Sequence, residues 1–237
     1  MWRRVVLLVV VLAAAGCGLP RDVDGTLDRV RGGVLRVGVT ENRPWTVVGD
    51  GPAEEVSGAE AELVGRLADR LGARVQWRHG SEAALMAAVE ERRLDLVVGG
   101  LEANSPWTGQ ASLTRPYATT RVVVAAAGDV PADLAGVRVA VREGTDEAAA
   151  LADEDAVVVP VRDVADADGL PVVVEHWRVA GLGLRASDHV LLERSHVWAV
   201  PLGENGWQVE VERFLADLPD GEVDRLLAEA AGEEDAA

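Results

Sequence analysis

Lysine is absent from the 237-residue chain, and cysteine occurs once. The lone Cys17 excludes an intramolecular disulfide and any metal site built from several thiolates. Every basic side chain is therefore an arginine; 23 of them face 40 acidic residues, for a net charge of −17. A surface this acidic repels phosphate backbones, which argues against nucleic acid as a partner and leaves no basic patch for anionic lipid. Catalytic signatures are also missing. The four histidines fall in neither HxxxH nor HExxH spacing, and no serine sits in a GxSxG elbow. The expectation is a protein without metal, cofactor or catalytic residues. No internal repeat of fixed period is present.

Hydrophobic residues make up 49% and charged residues 27%, a globular composition long enough for one large or two small domains. The N-terminus has the layout of an export signal: MWRR is basic, Val5 to Ala15 is apolar, and Ala14-Ala15-Gly16 is small. The apolar run falls short of the roughly 20 residues of a spanning helix. Cys17 follows the small residues directly, which resembles a bacterial lipobox with Ala14 where Leu is usual; an ordinary signal with an incidental Cys is the other reading. Residues 1–16 are thus expected as signal peptide. Cys17 is the candidate lipidation site, and 17–32, polar and aperiodic, the expected tether.

From residue 34 the pattern alternates strands and helices. VLRVGVT, ARVQW and LDLVV read as strands, with helices over GAEAELVGRLADRLG and SEAALMAAVEERR between them. Ser81 is a plausible N-cap. A second block follows: TTRVVVAAA, a strand and helix within 133–151 that opens at Gly144-Thr145, then AVVVPV, LPVVVE and HVWAVP. Two helices close the chain, the first with an apolar stripe of Trp207, Val211, Phe214 and Leu215. Repeated strand–helix units predict parallel sheets in two α/β lobes, with ligand near the carboxyl ends of the strands.

In order, GGVLRVGVTENRPWTVV, GAEAELVGRLADRLGARVQW, LDLVVGGLEANSPW, LTRPY, LAGVRVAVREGT and HVWAVPLGENGW resemble the amino-acid-type (family 3) bacterial solute-binding proteins, receptors that feed ABC importers. The resemblance implies a type II periplasmic-binding-protein-like fold, each lobe a mostly parallel sheet flanked by helices. Lobe 1 is expected over 33–118 and 197–232, and lobe 2 over 119–196. Lobe 2 is reduced, because only RDVADADG separates AVVVPV from LPVVVE, too little for the usual helix. The implied protein is an extracytoplasmic monomer, held to the membrane through Cys17, that captures a small molecule and meets ABC permease subunits.

The resemblance also assigns a cleft. Members of the family follow the LDLVV-type strand with two threonines and an arginine that grip an α-carboxylate; this chain has Glu102, Asn104 and Trp107 at those positions. Trp45 matches an aromatic that covers the ligand, and Thr145 a donor at a helix start. Glu175 falls where the family has an acid for the ligand's ammonium. Glu102, Asp146 and Glu175 are expected to converge on one cleft with Trp45 and Trp107, an arrangement that suits a cation. Plainer roles stand beside these: Asp146 as a helix N-cap, Glu102 paired with Arg115 or Arg43, Trp107 packed beneath LTRPY, and Trp77, Trp198 and Trp207 in the core.

Overall fold

The computed structural model describes residues 22–49 and 55–235. The expected signal segment and Cys17 lie outside them. The described chain opens with α1 (Thr26–Val30) and β1 (Val34–Val39), then a small hairpin of β2 (Val47–Val48) and β3 (Val56–Ser57). Next come α2 (Ala59–Leu71), β4 (Arg74–His79), α3 (Glu82–Glu90) and β5 (Leu96–Val98). The expected helical stripe buries Leu63, Val64, Leu67 and Leu71 in α2, and Gly72 ends the helix at φ 62°, a left-handed conformation suited to glycine. Ser81 caps α3, its hydroxyl accepting the Ala84 N–H at 3.4 Å. β1 pairs in parallel with β4 and β5. A side chain at Gly38 would bring a Cβ to 2.7 Å from Leu94 and 3.0 Å from Leu85 of α3, so α3 packs closely on β1 over a glycine.

The chain continues through a 3-10 turn at Pro106–Gly109 to β6 (Ala111–Leu113) and the long β7 (Ala118–Ala126). β8 (Arg138–Arg142), α4 (Asp146–Asp153), β9 (Val157–Val161) and β10 (Val172–Glu175) follow. The short link between β9 and β10 forms only a 3-10 turn, Val164–Asp166, where a helix would not fit. β11 (Arg185–His196) returns along β7, and β12 (Ala199–Pro201), α5 (Asn205–Ala216) and α6 (Glu222–Asp235) complete the chain.

Two five-stranded sheets result, ordered β4-β1-β5-β12-β6 and β11-β7-β10-β8-β9. Each is parallel where strand–helix–strand units build it and antiparallel where the chain passes between them. The first sheet draws on both ends of the described chain and the second on its middle. β7 and β11 pair from Arg185 opposite Ala126 to His196 opposite Ala118, and make the crossing between the two halves. Trp198 and Trp207 are fully buried in the first half's core, which α5 and α6 cover, and Trp77 packs against it.

Two sequence expectations need correction. Residues 22–32 do not form a free tether. Asp22 accepts the N–H of Leu27 and of Trp207, both at 2.8 Å, and Glu204 accepts those of Asp24 and Thr26 at 2.8 and 2.9 Å. Each acid caps the helix that follows the other, while Val30 enters the core. The segment reads as polar because its acids act as caps. The second omission is β11 itself. Register shifts near Val190 break its period of two, which hides the strand from an alternation test.

Candidate functional site

The strands β1, β5, β8 and β10 all end at one cleft between the halves, with a volume of about 540 Å³. That lies within the roughly 300–1,000 Å³ of small-molecule sites. Its floor in the first half is built on Glu60, which is fully buried. One carboxylate oxygen accepts the N–H groups of Gly99 and Gly100 at 2.7 and 2.8 Å, and the other accepts Tyr117 Oη at 2.7 Å and Trp198 Nε1 at 2.9 Å. Burial pushes its pKa up and the four donors pull it back. Those bonds fix the turn that leaves β5. Gly100 sits at φ 68°, and a Cβ there would lie 2.5 Å from Asn42 Nδ2 and 2.9 Å from the Trp45 ring.

Trp45 lies against His196 with ring centroids 4.0 Å apart. Nδ1 of His196 faces the Gly100 carbonyl at 3.4 Å, so it carries the proton, and Nε2 accepts from the Thr120 hydroxyl at 2.9 Å. Burial, reinforced by the nearby Arg194 cation, lowers the His196 pKa to about 4. The ring is neutral at pH 7 and braces Trp45.

The expected acids do converge, around a cation that sequence reading missed. Arg194, on β11, reaches Asp146 at 2.8 Å, Glu147 at 2.9 Å, Glu175 at 3.3 Å and Glu102 at 3.4 Å. Glu102 is pinned nearby because its loop pairs with the end of β11, Ala103 N–H donating to Ser195 O at 2.8 Å. Asp146 and Glu147 open α4, and Glu175 ends β10. One oxygen of Glu175 faces Arg194; the other, Oε2, is buried and accepts no hydrogen bond among the described residues. Burial raises the Glu175 pKa to about 7, opposed by Arg194 and reinforced by Glu147 and Glu102. Arg43, Arg142 and Arg178 also line the cleft, so four guanidinium groups stand with four carboxyl groups.

Trp45, Glu102, Asp146 and Glu175 therefore line the cleft, while Asn104, Trp107 and Thr145 do not. Trp107 packs against the α3 side of the first sheet and donates its indole N–H to Glu82. The exposed Asn104 sits on the outer turn of its loop. The Thr145 hydroxyl donates to Arg142 O at 2.9 Å and borders a smaller cavity of about 180 Å³ within the second half. Arg115 is engaged away from the cleft by Glu212 at 3.0 Å, so it is not the partner of Glu102. Trp177, beyond β10, was also missed; it lines the cleft and packs against the core of the first half. The sequence signals for these omissions are slight: a lone Arg in LLERSH and a Trp two residues after Glu175.

Two mixed sheets flanked by helices, joined by crossing strands and open at their strand ends, define the type II periplasmic-binding-protein fold. The profile of the bacterial extracellular solute-binding proteins, family 3, matches residues 35–233, and the chain belongs to that family. Solved structures agree on the fold. The unliganded, open L-cystine solute receptor of Neisseria gonorrhoeae is 18% identical with a TM-score of 0.68, over 86% of this chain and 97% of that one. An ancestral cationic amino acid solute-binding protein is 20% identical with a TM-score of 0.66, over 87% and 97%. An ancestral cyclohexadienyl dehydratase is 18% identical with a TM-score of 0.64, over 88% and 95%. No curated protein matches the sequence significantly.

Proposed function

We propose that the chain is an extracytoplasmic receptor that captures a small polar solute with a cationic group, amino-acid-like or a simple amine, and presents it to an ABC-type importer. In this reading Cys17 carries the lipid anchor; a diacylglyceryl chain plus further acylation suffices for stable attachment. Residues 33–118 with 197–232 and residues 119–196 act as lobes that swing about 118–120 and 195–197. The carrying observation is Glu175: a carboxylate at the carboxyl end of a strand, with one oxygen unpartnered and the Trp45 face across the same cleft. That oxygen is buried, so solute reaches it only while the lobes are apart. Closure then exchanges water for the solute's N–H donors. We read the role as binding rather than catalysis, although the same fold occurs in a dehydratase.

The alternative is a receptor-like module without a transport role. It is favoured by the acids' existing engagement with Arg194. A thermal-shift screen of the chain without its first 17 residues, over amino acids, polyamines and quaternary amines, separates the two. A solute at 100 times its dissociation constant adds about 2.7 kcal/mol. A stabilising amine supports the receptor reading; no stabilisation by any of them favours the alternative.

A further inference from the structure

The number of carboxylates around Arg194 exceeds what a structural ion pair needs. Four of them, from three separate segments, meet one guanidinium whose side chain is 16% exposed. Glu102 belongs to the loop leaving the first sheet; Asp146, Glu147 and Glu175 belong to the second half. Asp146 receives Arg194 Nη2 with both oxygens, at 2.8 and 2.9 Å, and Glu147 receives the same nitrogen at 2.9 Å. Nη1 turns to Glu175 and Nε to Glu102. A planar cation ringed by acids from both walls of a cleft is the geometry of a bound guanidinium compound. Here the compound is a side chain delivered by β11.

We propose that Arg194 is a built-in occupant of the cleft's cation subsite and sets its specificity: it excludes guanidinium-bearing solutes and leaves the unpartnered oxygen of Glu175 for a compact ammonium. This rests on reading the cleft as a solute site. The guanidinium fills the fork of Asp146 and Glu147, where its Nη2 meets two carboxylates at hydrogen-bond distance. A second guanidinium finds the Asp146 and Glu147 oxygens already taken by Arg194 Nη2. A small ammonium needs one acceptor, and Glu175 Oε2 is that acceptor. Through Glu102, 3.4 Å away, the occupant also touches the first half.

Removing the tethered cation should expose its subsite. The test is Arg194→Gln, close in shape and uncharged, with methylguanidinium as the probe and neutral N-methylurea as the control for shape. Melting temperature is read against probe concentration for the wild type and the variant. The variant is expected to melt lower than the wild type. Methylguanidinium, but not N-methylurea, should restore it saturably, at a concentration at least about tenfold below any response of the wild type, a difference of about 1.4 kcal/mol. Equal responses in both proteins, no response in the variant, or equal rescue by N-methylurea overturns the proposal. Should Arg194→Gln not fold alone, the same comparison is read as refolding yield with and without each probe; a yield unaffected by methylguanidinium again overturns it. Failure of the solute-site reading looks different: no natural amine binds the wild type, while the response of the variant to methylguanidinium is unaffected.

Discussion

Arg194 Nε stands 3.4 Å from the Glu102 carboxylate, and this pair joins a strand of the second sheet to the loop that leaves the first. Glu102 is 37% exposed, so the pair contributes at most about 0–1 kcal/mol. Its effect should show in shape more than in stability. Glu102→Gln is expected to move the unfolding free energy by less than about 1 kcal/mol, yet to raise the radius of gyration in small-angle scattering. An unchanged radius would mean that the pair does not hold the halves together.

The Glu60 carboxylate is the support of the cleft floor. Glu60→Gln keeps the shape but sets an amide NH₂ against N–H and O–H donors that need acceptors. A loss of about 2–4 kcal/mol is expected, read from urea unfolding. A loss below about 1 kcal/mol would show that the four bonds to Glu60 matter little.

His196 and Glu175 give opposite responses to pH. The folded His196 pKa of about 4 lies below its ordinary 6.5, so between those values the unfolded chain binds the proton and acid destabilises the fold. The folded Glu175 pKa of about 7 lies above its ordinary 4.5, so over that range the folded chain binds the proton and acid stabilises it. Each shift corresponds to about 3 kcal/mol over its full window. Across the shared interval the two oppose each other and the wild type is expected to be nearly flat. Glu175→Gln should leave a stability that falls with acid, and His196→Gln one that rises. Parallel curves for both variants would contradict the assignment.

The reciprocal caps formed by Asp22 and Glu204 make a further prediction. Asp22→Ala removes the acceptor of two helix-start N–H groups, at Leu27 and Trp207. A loss of about 1 kcal/mol is expected, together with earlier trypsin cleavage after Arg29 or Arg31. Unchanged proteolysis would mean that Glu204, Val30 and the Arg29–Asp95 pair hold the segment without Asp22.

The order of strands and helices was legible because α2 and α3 carry clean apolar spacing and glycine or serine boundaries, and because β1, β5, β8 and β10 are short valine- and leucine-rich runs. β11 was not, since its bulges shift the inward positions. In the site, Trp45, Glu102, Asp146 and Glu175 were found through the resemblance to the family, whose ligand positions they match or adjoin. Trp107 sits in the same loop as Glu102 but turns back onto its own half, and loop spacing alone does not encode that turn. Arg194 went unseen for a different reason. The partners weighed for Glu102 were Arg115 and Arg43, whereas the shared cation of these acids lies about 19 to 92 residues away along the chain and arrives only through tertiary pairing of β7 with β11.

The most direct measurement is calorimetric titration of the chain with simple amines and amino acids, for the wild type and Glu175→Gln. Simple amines or amino acids with an ammonium side chain should bind the wild type, with affinity lowered at least about tenfold in Glu175→Gln, and glutamate and glutamine should bind poorly to both. Tight binding of glutamate or glutamine, unaffected by Glu175→Gln, would contradict a cleft that selects the cationic end of its solute.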